Sequence, residues 1–356
     1  MKAFWFVARY YLKYFCVITA GLGLFFVGID VLKLASELPD SANLLILFIL
    51  YDFAYALGFI LPISILLSEV MVLSVLLRNN EFAALLSLGH SKRQIALPIF
   101  VCAALLLTAF VALNATPFAY SKEEVDRIIN KNFTNKSKQE ILVKHQNNYI
   151  YFDKVYPFTK RAEGIRIYTL NNNTLTRLVQ ATNAIFVNNE WQLLEVVLFD
   201  FNEGAKLGDI AYSQTKLPRL EILKGFKPKI LDIIYEKSDS VSILDAFSSL
   251  LFLQNQNIDS TKIRGILYSL VFFPFFCFPM LVILLRFMPL TVRYGELSWF
   301  VFASILMSLM AWGVFFALSR FAMSGFIHPE WAFVLPMFLW FLLGFVVALW
   351  LNRYEG

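Results

Sequence analysis

The chain has 356 residues, of which 58% are hydrophobic and only 16% are charged, and its formal net charge is +5. Soluble globular proteins are about a quarter charged and about half apolar, and the mean hydropathy here is +0.63. This composition excludes an ordinary soluble domain. The basic residues do not cluster as a nucleic-acid-binding surface requires, so we predict an integral membrane protein that binds no nucleic acid.

Six apolar runs are long enough to cross a bilayer, which takes about 20 helical residues. The first is expected to stay uncleaved, because Lys33 would occupy position −3 of its one plausible signal-peptidase site, which ends at Ala35. The second is too long for one upright helix, so we expect an interfacial helix over 44–51 and then a span kinked at Pro62. The predicted spans are 14–35, 53–77, 95–116, 265–286, 298–319 and 331–351.

Lysine and arginine in the short loops predict the orientation of the spans, because such residues are retained in the cytoplasm. The basic residues of the N-terminal segment and of the loops after the second and fourth spans stand against two acids, Glu37 and Asp40, in the loop after the first span. Both termini and residues 78–94 are therefore expected in the cytoplasm of the cell. The basic residues are Lys2, Arg9, Lys13, Arg78, Lys92, Arg93, Arg286 and Arg293.

A long polar block, residues 117–262, separates the third and fourth spans and is expected outside the cytoplasm. It begins with the polar helical sequence YSKEEVDRIINKNFTNKSKQE, and helix returns in SVSILDAFSSLLFLQNQNIDSTKIRG. Alternating apolar and polar residues between Asn-rich turns predict strands in NYIYFDKVY, GIRIYTL, LTRLVQATNAIFV and WQLLEVVLFDF. We expect a compact all-β domain of sandwich or jelly-roll type.

The predicted fold class is thus an α-helical integral membrane protein with six transmembrane helices and an inserted all-β, jelly-roll-like domain. The expected domains are residues 1–116 with the first three spans, 117–262 with the β domain and its flanking helices, and 263–356 with the last three spans.

Motifs for enzymatic chemistry are not found. No phosphate-binding loop of the form Gly-x-x-x-x-Gly-Lys-Ser/Thr occurs, and no Ser–His–Asp or paired-carboxylate pattern rises above chance. The cysteines, Cys16, Cys102 and Cys277, and the histidines, His90, His145 and His328, lack metal-ligand spacing. We therefore expect no metal site and no cofactor bound by this chain.

Charged residues within the spans are more informative, since each is unfavourable unless it faces protein or water. Asp30 and Lys33, one helical turn apart, either neutralise each other or leave Lys33 to bind an anionic head group. An interfacial position explains Asp52, whereas Glu69 lies deeper and has either a structural hydrogen bond or a functional role. Arg320 either extends its charge to the membrane surface or contacts a phosphate.

The loop sequence RNNEFAALLSLGHSKRQI, residues 78–95, resembles a short amphipathic helix rather than a simple turn. Glu81 falls in the first turn, where a carboxylate complements the helix dipole. Gly89 is expected to end the helix, and Ser91 and Gln94 fit a capping box that starts the next one. Such a helix either rests on lipid or docks into a cytoplasmic partner. Its apolar stripe comprises Phe82, Leu85, Leu86 and Leu88.

The motif E-F-A-A-L-L-S-L-G-H-S-K-R-Q resembles the cytoplasmic coupling helix of the lipopolysaccharide-export permeases LptF and LptG. The resemblance covers the whole plan of three spans, an external β domain and three more spans. Further matches are the early R-Y-x-x-K, N-x-Y-I-Y, G-I-R-I-Y-T-L-N and the closing S-G-F-I-H-P-E-W-A-F-V-L-P. The last two look more like LptG.

The resemblance implies a permease that pairs with a paralogous subunit and recruits two copies of a cytoplasmic ABC ATPase, which would bind the ATP. The complex would extract lipopolysaccharide from the inner membrane of a Gram-negative bacterium. The β domain, in the periplasm, would pass the lipid to a β-jelly-roll bridge protein. Two alternatives stay open: a permease of the same architecture that exports another lipid or a lipoprotein, and a membrane-anchored envelope scaffold.

The resemblance also assigns candidate sites. The coupling helix spans about 79–89, and Lys33 lies close to a family basic residue that faces lipid phosphates. The family often carries another cation early in the second span, where this chain has Asp52, so a head-group contact from that span is in doubt. The residues expected to dock the ATPase are Glu81, Phe82, Ala84, Leu85, Leu88 and Gly89.

Overall fold

Long helices and one antiparallel sheet make up the protein. The computed structural model describes residues 2–129, 138–145, 148–156, 159–171, 174–188, 190–201, 212–224, 226, 228, 240–254, 260–289 and 296–354. Among these residues the helices and strands follow the predicted order of helices, strands and helices.

The helices before the sheet are α1 to α5, and those after it are α6 to α10. A short 3₁₀ turn, Pro117–Tyr120, precedes α5, another, Phe273–Phe276, joins α7 to α8, and a π-helical turn, Glu330–Val334, precedes α10. The bounds are α1 Lys2–Lys33, α2 Ala42–Arg78, α3 Glu81–Ser87, α4 Lys92–Leu113, α5 Ser121–Ile129, α6 Ile243–Gln254, α7 Thr261–Phe272, α8 Cys277–Phe287, α9 Glu296–Met323 and α10 Leu335–Tyr354.

Six segments of the described chain are long and apolar enough to cross a membrane, which confirms the predicted number. Each contains the predicted apolar run or most of it, and the first begins well before the residue expected. The six are Lys2–Lys33, Ala42–Arg78, Lys92–Leu113, Thr261–Phe287, Glu296–Met323 and Glu330–Trp350.

The second span corrects one prediction. The interfacial helix expected over 44–51 is not separate, because α2 runs without a break from Ala42 to Arg78 and carries Pro62 inside it. No glycine pair or polar turn interrupts the apolar sequence between Leu44 and Phe53, so nothing local ends the helix there. The polar helix α5 packs on this first part of α2, with Phe48, Val125 and Ile128 forming a small buried cluster.

The helix α2 is the central helix of the bundle. The most apolar 18-residue stretch of α2 is 78% buried within the protein, whereas the corresponding stretches of α1 and α9 are 17% buried. It packs against α1, α8 and α9, and its residues Leu66, Leu73 and Leu76 are fully enclosed in the main core. The outer faces of α1 and α9 remain apolar and exposed, as lipid- or protein-facing surfaces of a membrane protein are.

The inserted sheet has six strands in chain order, β1 to β6, each antiparallel to its neighbours. The described strands therefore form one meander rather than the two sheets of a sandwich. Trp191, Phe152 and Ile167 lie on its buried face, which Phe226 covers. The strands are β1 Lys138–His145, β2 Asn148–Tyr156, β3 Arg161–Asn171, β4 Thr174–Val187, β5 Glu190–Phe201 and β6 Tyr212–Ile222.

Two parts of the sheet were missed by sequence reasoning. Residues Lys138–Glu140, expected at the end of the polar helix, belong to strand β1, and residues 130–137 of that predicted helix lie outside the described residues. Strand β6 was not predicted either. It is an edge strand with mostly exposed side chains and a proline at position 218, so its sequence lacks the alternation of a half-buried strand.

The described chain divides into two compact units. One contains residues 1–129, 240–247 and 260–356, with the spans and α5, and the other contains 130–239 and 248–259, with the sheet. Residues 117–129, predicted to belong to the β domain, thus pack with the spanning helices.

Candidate functional site

The connector between α2 and α4 is the first candidate site. Its helix α3 is two turns long, with Glu81 in the first turn as predicted, and it lies against α2. Phe82 is fully buried in the main core and anchors the helix. Local sequence explains this geometry, because the one aromatic side chain of α3 lies one residue after the helix start.

Both ends of the break after α3 are hydrogen-bonded as the sequence predicts. Gly89 has a left-handed φ of 86°, its N–H donates to Leu86 O at 2.9 Å, and the N–H of His90 donates to Leu85 O at 3.2 Å. This is the Schellman arrangement that ends a helix at glycine. Ser91 Oγ then accepts the N–H of Gln94, whose side chain accepts the N–H of Ser91, forming a capping box.

The predicted apolar stripe of α3 divides into an inner and an outer part. Leu85 and Leu86 are half-buried against the core, whereas 75% of the Leu88 side chain is exposed. Ala84 is also exposed, and Glu81 Oε2 is buried with no hydrogen-bond partner among the described residues. The outer surface that α3 presents therefore consists of small side chains and one leucine.

A second candidate site lies at the C-terminal end of α1, close to the start of α2 and to α5. Lys33 Nζ lies 3.1 Å from Asp30 Oδ1, so the predicted neutralising pair forms, and yet 68% of the Lys33 side chain is exposed. The ammonium can therefore reach an anion in solvent or at a membrane surface while it keeps its aspartate partner.

Asp52, expected at an interfacial position, is buried within the protein. Its side chain is 1% exposed, and neither carboxylate oxygen has a hydrogen-bond partner among the described residues. The helix α5 and the end of α1 enclose it, and Asp30, Lys122 and Lys33 are close enough to act on its charge. The buried position comes from α5, which is more than 60 residues away in sequence.

Arg320, in the last turn of α9, lies on aromatic rings rather than in open solvent. Its guanidinium carbon is 5.2 Å from the Phe316 ring centre and 5.7 Å from that of Phe59 on α2. Phe59 in turn packs on Phe26 of α1, with ring centres 6.4 Å apart. A row of rings thus connects Arg320 with the helix that carries Lys33, and cation–π attraction fixes the guanidinium.

Glu69 is the third candidate. It lies in the second half of α2 with no exposed surface, and neither of its oxygens has a partner among the described residues. The structural hydrogen bond considered for it is therefore not present there. Tyr11 on α1 and Cys277 on α8 are close enough to act on its charge.

Sequence reasoning missed a polar clasp where the chain leaves and re-enters the spanning unit. The Tyr120 hydroxyl donates to Asp245 Oδ2 and accepts the N–H of Ser242 at 3.3 Å. The N–H of Ile243 donates to Asn114 O at 3.0 Å. The partners are more than 120 residues apart in the chain, so neither periodicity nor local motifs could have paired them.

The candidate residues lie towards the two ends of the helix α2. Within the described residues no group of three or more His, Cys, Asp or Glu side chains is arranged to hold a metal ion. Lys33 ends α1 and Arg320 lies in the last turn of α9, whereas the α3 surface follows the C-terminal end of α2.

Comparison with known proteins identifies a matching family. A sequence model of the family described as lipopolysaccharide export system permease LptF/LptG matches residues 5–351. The matched range includes the six spans, the connector helix α3 and the whole described sheet. No individually curated protein matches the chain at a significant level.

Proposed function

The chain belongs to the LptF/LptG family of lipopolysaccharide export system permeases, and we propose that it extracts lipopolysaccharide from the inner membrane of a Gram-negative bacterium for transport to the outer membrane. The family predicted from the sequence is thereby confirmed, while the preference for LptG over LptF stays a prediction. The observation that carries the proposal is the family match along nearly the whole chain, since it includes both the spans and the inserted sheet.

The proposed orientation places both termini and α3 in the cytoplasm and the sheet in the periplasm. The distribution of basic residues supports it, because Arg78, Lys92 and Arg93 flank α3, and cytoplasmic loops retain lysine and arginine. The loop at the other end of α1 contains Glu37 and Asp40 and no basic residue.

We further propose that α3 docks a cytoplasmic ABC ATPase, which supplies the ATP hydrolysis that this chain lacks a phosphate-binding loop to perform. The exposed Ala84 and Leu88 suit a surface that inserts into a groove of another protein, and Gly89 keeps the chain close behind them. Glu81 lies in the first turn of α3, where a carboxylate complements the helix dipole, so we assign it the role of stabilising the docking helix. Because Phe82 anchors α3 in the core, a push on α3 is transmitted to α2.

The lipid is proposed to enter along α1 and α9, between this subunit and a paralogous one. Both helices present mostly exposed apolar side chains, including Phe25 and Val314, which suit acyl chains or a partner subunit. Lys33 and Arg320 would bind the lipid phosphates at the periplasmic end, where the rings of Phe59 and Phe316 hold the guanidinium in place.

The inserted sheet is proposed to pass the lipid to a periplasmic β-jelly-roll bridge protein. The sheet ends in two described edge strands, β1 and β6, whose outer backbone groups are not paired within the sheet. Such edges add a strand from a partner, so one of them is a suitable docking position for the bridge.

Purification of the tagged chain from its own cells, in mild detergent, tests this function. Mass spectrometry of the copurified material should find an ABC ATPase, a second permease of the same family and lipopolysaccharide. Depletion of the chain should cause newly made lipopolysaccharide to accumulate in the inner membrane. A different lipid or a lipoprotein in the complex would contradict the assigned substrate, and unchanged lipopolysaccharide transport after depletion would contradict export itself.

A further inference from the structure

The central helix α2 accepts hydrogen bonds from three neighbouring helices at its backbone carbonyls. Trp312 Nε1 on α9 donates to Phe59 O at 3.1 Å, and Cys277 Sγ on α8 donates to Pro62 O at 3.3 Å. The Tyr11 hydroxyl on α1 donates to Ile65 O at 3.2 Å. Each of these three donors is therefore already engaged with the α2 backbone.

Glu69 lies one turn beyond the last of these carbonyls, and nothing pairs with it. Its side chain has no exposed surface, and both oxygens lack a hydrogen-bond partner among the described residues. The titratable groups that face this region are Tyr11 from α1, Cys102 from α4 and Cys277 from α8. None of these three carries a positive charge that would stabilise a carboxylate.

The charge state of Glu69 follows from this environment. An ionised carboxylate buried without a cation or hydrogen-bond donors is strongly unfavourable, and the group takes up a proton instead. Asp52, the other buried carboxylate of α2, differs because Lys33 and Lys122 are close enough to act on it. The two acids on one helix therefore have different surroundings, and Glu69 is the one that must be neutral.

A neutral acid at this position does not stabilise the folded conformation. The unpartnered oxygens of a buried carboxyl group are less favourable than the methyl groups of a leucine of similar volume. The neighbours Leu66 and Leu73, one turn to either side, are fully buried apolar residues. A hydrogen-bonding group that gains nothing in one conformation points to a second conformation in which it meets water.

We propose that Glu69 is a proton-binding site buried within the helical bundle, which holds one proton in the conformation described and releases it when the interface between α1 and α2 opens to water. In that step the carboxyl O–H bond breaks, its electron pair stays on the oxygen, and water accepts the proton. The proposal rests on the transport function, since a push on α3 at the end of α2 supplies the movement that opens the interface.

Infrared spectroscopy of the purified complex in lipid nanodiscs tests the site. The spectrum of the wild type minus that of Glu69→Gln should show the carbonyl stretch of a protonated carboxylic acid at neutral pH. In heavy water this band should shift slowly in the resting complex and faster, or be replaced by carboxylate bands, once the ATPase is trapped with nucleotide and vanadate. Glu37→Gln is the matched control, because Glu37 is exposed and its replacement should leave the protonated-acid band unchanged.

Two results would overturn the proposal: carboxylate bands for Glu69 in the resting complex, or an acid band whose exchange and intensity are the same with and without trapped nucleotide. If Glu69→Gln fails to assemble, labelling of the wild type with dicyclohexylcarbodiimide replaces it. An adduct on Glu69 that increases during ATP turnover supports the site, and its absence contradicts it. The ATPase and lipid content of the same samples reports separately on the proposed transport function.

Discussion

At the end of α1, Lys33 combines an ion pair with an accessible charge. Exposed pairs of this kind contribute only about 0.2–1 kcal/mol to stability, and 68% of the Lys33 side chain is exposed beside its aspartate. The sequence predicts the pair because residues three apart share one helix face. It does not predict that Asp52 is buried nearby, because that burial depends on the distant helix α5.

Replacement of Lys33 separates a lipid contact from a structural one. We expect Lys33→Ala to lower the amount of copurified lipopolysaccharide about tenfold, since a charge-assisted hydrogen bond contributes about 1.5–3 kcal/mol. The melting temperature of the complex should change little. Lys13→Ala, on the same helix but about three-fifths of its length away from Lys33, is the control, and equal lipid loss in both variants would argue against a phosphate contact at Lys33.

The clasp residue Tyr120 should affect stability. We expect Tyr120→Phe to destabilise the chain by about 1–2 kcal/mol, because it removes the hydrogen bonds that the hydroxyl makes with the Asp245 carboxylate and the Ser242 N–H. Thermal unfolding in detergent, followed by tryptophan fluorescence, measures the change. An unchanged melting temperature would contradict this prediction, because it would mean that water replaces the hydroxyl without any loss of stability.

The same tyrosine predicts a pH dependence. Burial, together with the hydrogen bond to Asp245, raises the pKa of the Tyr120 hydroxyl above its ordinary value of 10.0. Its contribution to stability is therefore complete below pH 10 and declines as the pH rises through the higher folded-state value. The melting-temperature difference between the wild type and Tyr120→Phe should narrow above pH 10, and a difference that widens would contradict this assignment.

At the scale of elements, local chemistry predicts α3 well and predicts α2 poorly. The glycine at 89 and the serine at 91 act through their own backbone and side chain, so the helix break is visible in ten residues of sequence. The continuity of α2 is not, since whether an apolar run bends near Leu50 depends on what packs against it. Here α5 packs on the first part of α2, which continues without a break into the rest of the helix.

The exposed surface of α3 gives a sharp test of ATPase docking. Ala84 is exposed, so Ala84→Trp should fold normally and yet block insertion of α3 into a groove. We expect copurified ATPase to fall at least tenfold and lipid export to stop. Ala42→Trp, at an exposed position at the opposite end of α2, is the control. Normal ATPase recovery with Ala84→Trp would refute the docking surface.

A second glycine with a similar backbone conformation, Gly325, allows a controlled test of the glycine that ends α3. Gly89 and Gly325 both adopt a left-handed φ, 86° and 76°, with no atom near a new methyl group. Alanine at either position should cost about 1–2 kcal/mol of backbone strain. We expect Gly89→Ala alone to lower ATP turnover by the complex, because it also shifts α3. Equal turnover in the two variants would show that the break after α3 has no coupling role.

At the scale of the whole molecule, hydropathy predicts the six spans because each apolar run must satisfy its backbone internally in a bilayer. The sheet is predicted from alternation where strands are half-buried, as in β3 and β4. It is missed at the edges, as in β6, where few side chains are buried. Partner proteins are implied by family membership, and no pattern within this chain reveals them.

The proposed orientation can be checked with a thiol reagent that does not cross membranes. In intact spheroplasts Leu142→Cys, at an exposed position on β1, should be labelled, whereas Leu88→Cys on α3 should be labelled only after lysis. The wild type provides the background, because its three cysteines lie within the spans. The reverse labelling pattern would place the sheet in the cytoplasm and rule out the export pathway.

The clasp between residues 114–120 and 242–245 has a consequence for how such a permease can change in evolution. Because the chain leaves and re-enters the spanning unit at hydrogen-bonded positions, the separation of these two points is set by the clasp and not by residues 130–239 between them. That segment can lengthen, shorten or be exchanged at a loop-closure cost that grows only slowly with length. A chimera that keeps the clasp and takes its insert from another member of the family should therefore still assemble its six spans.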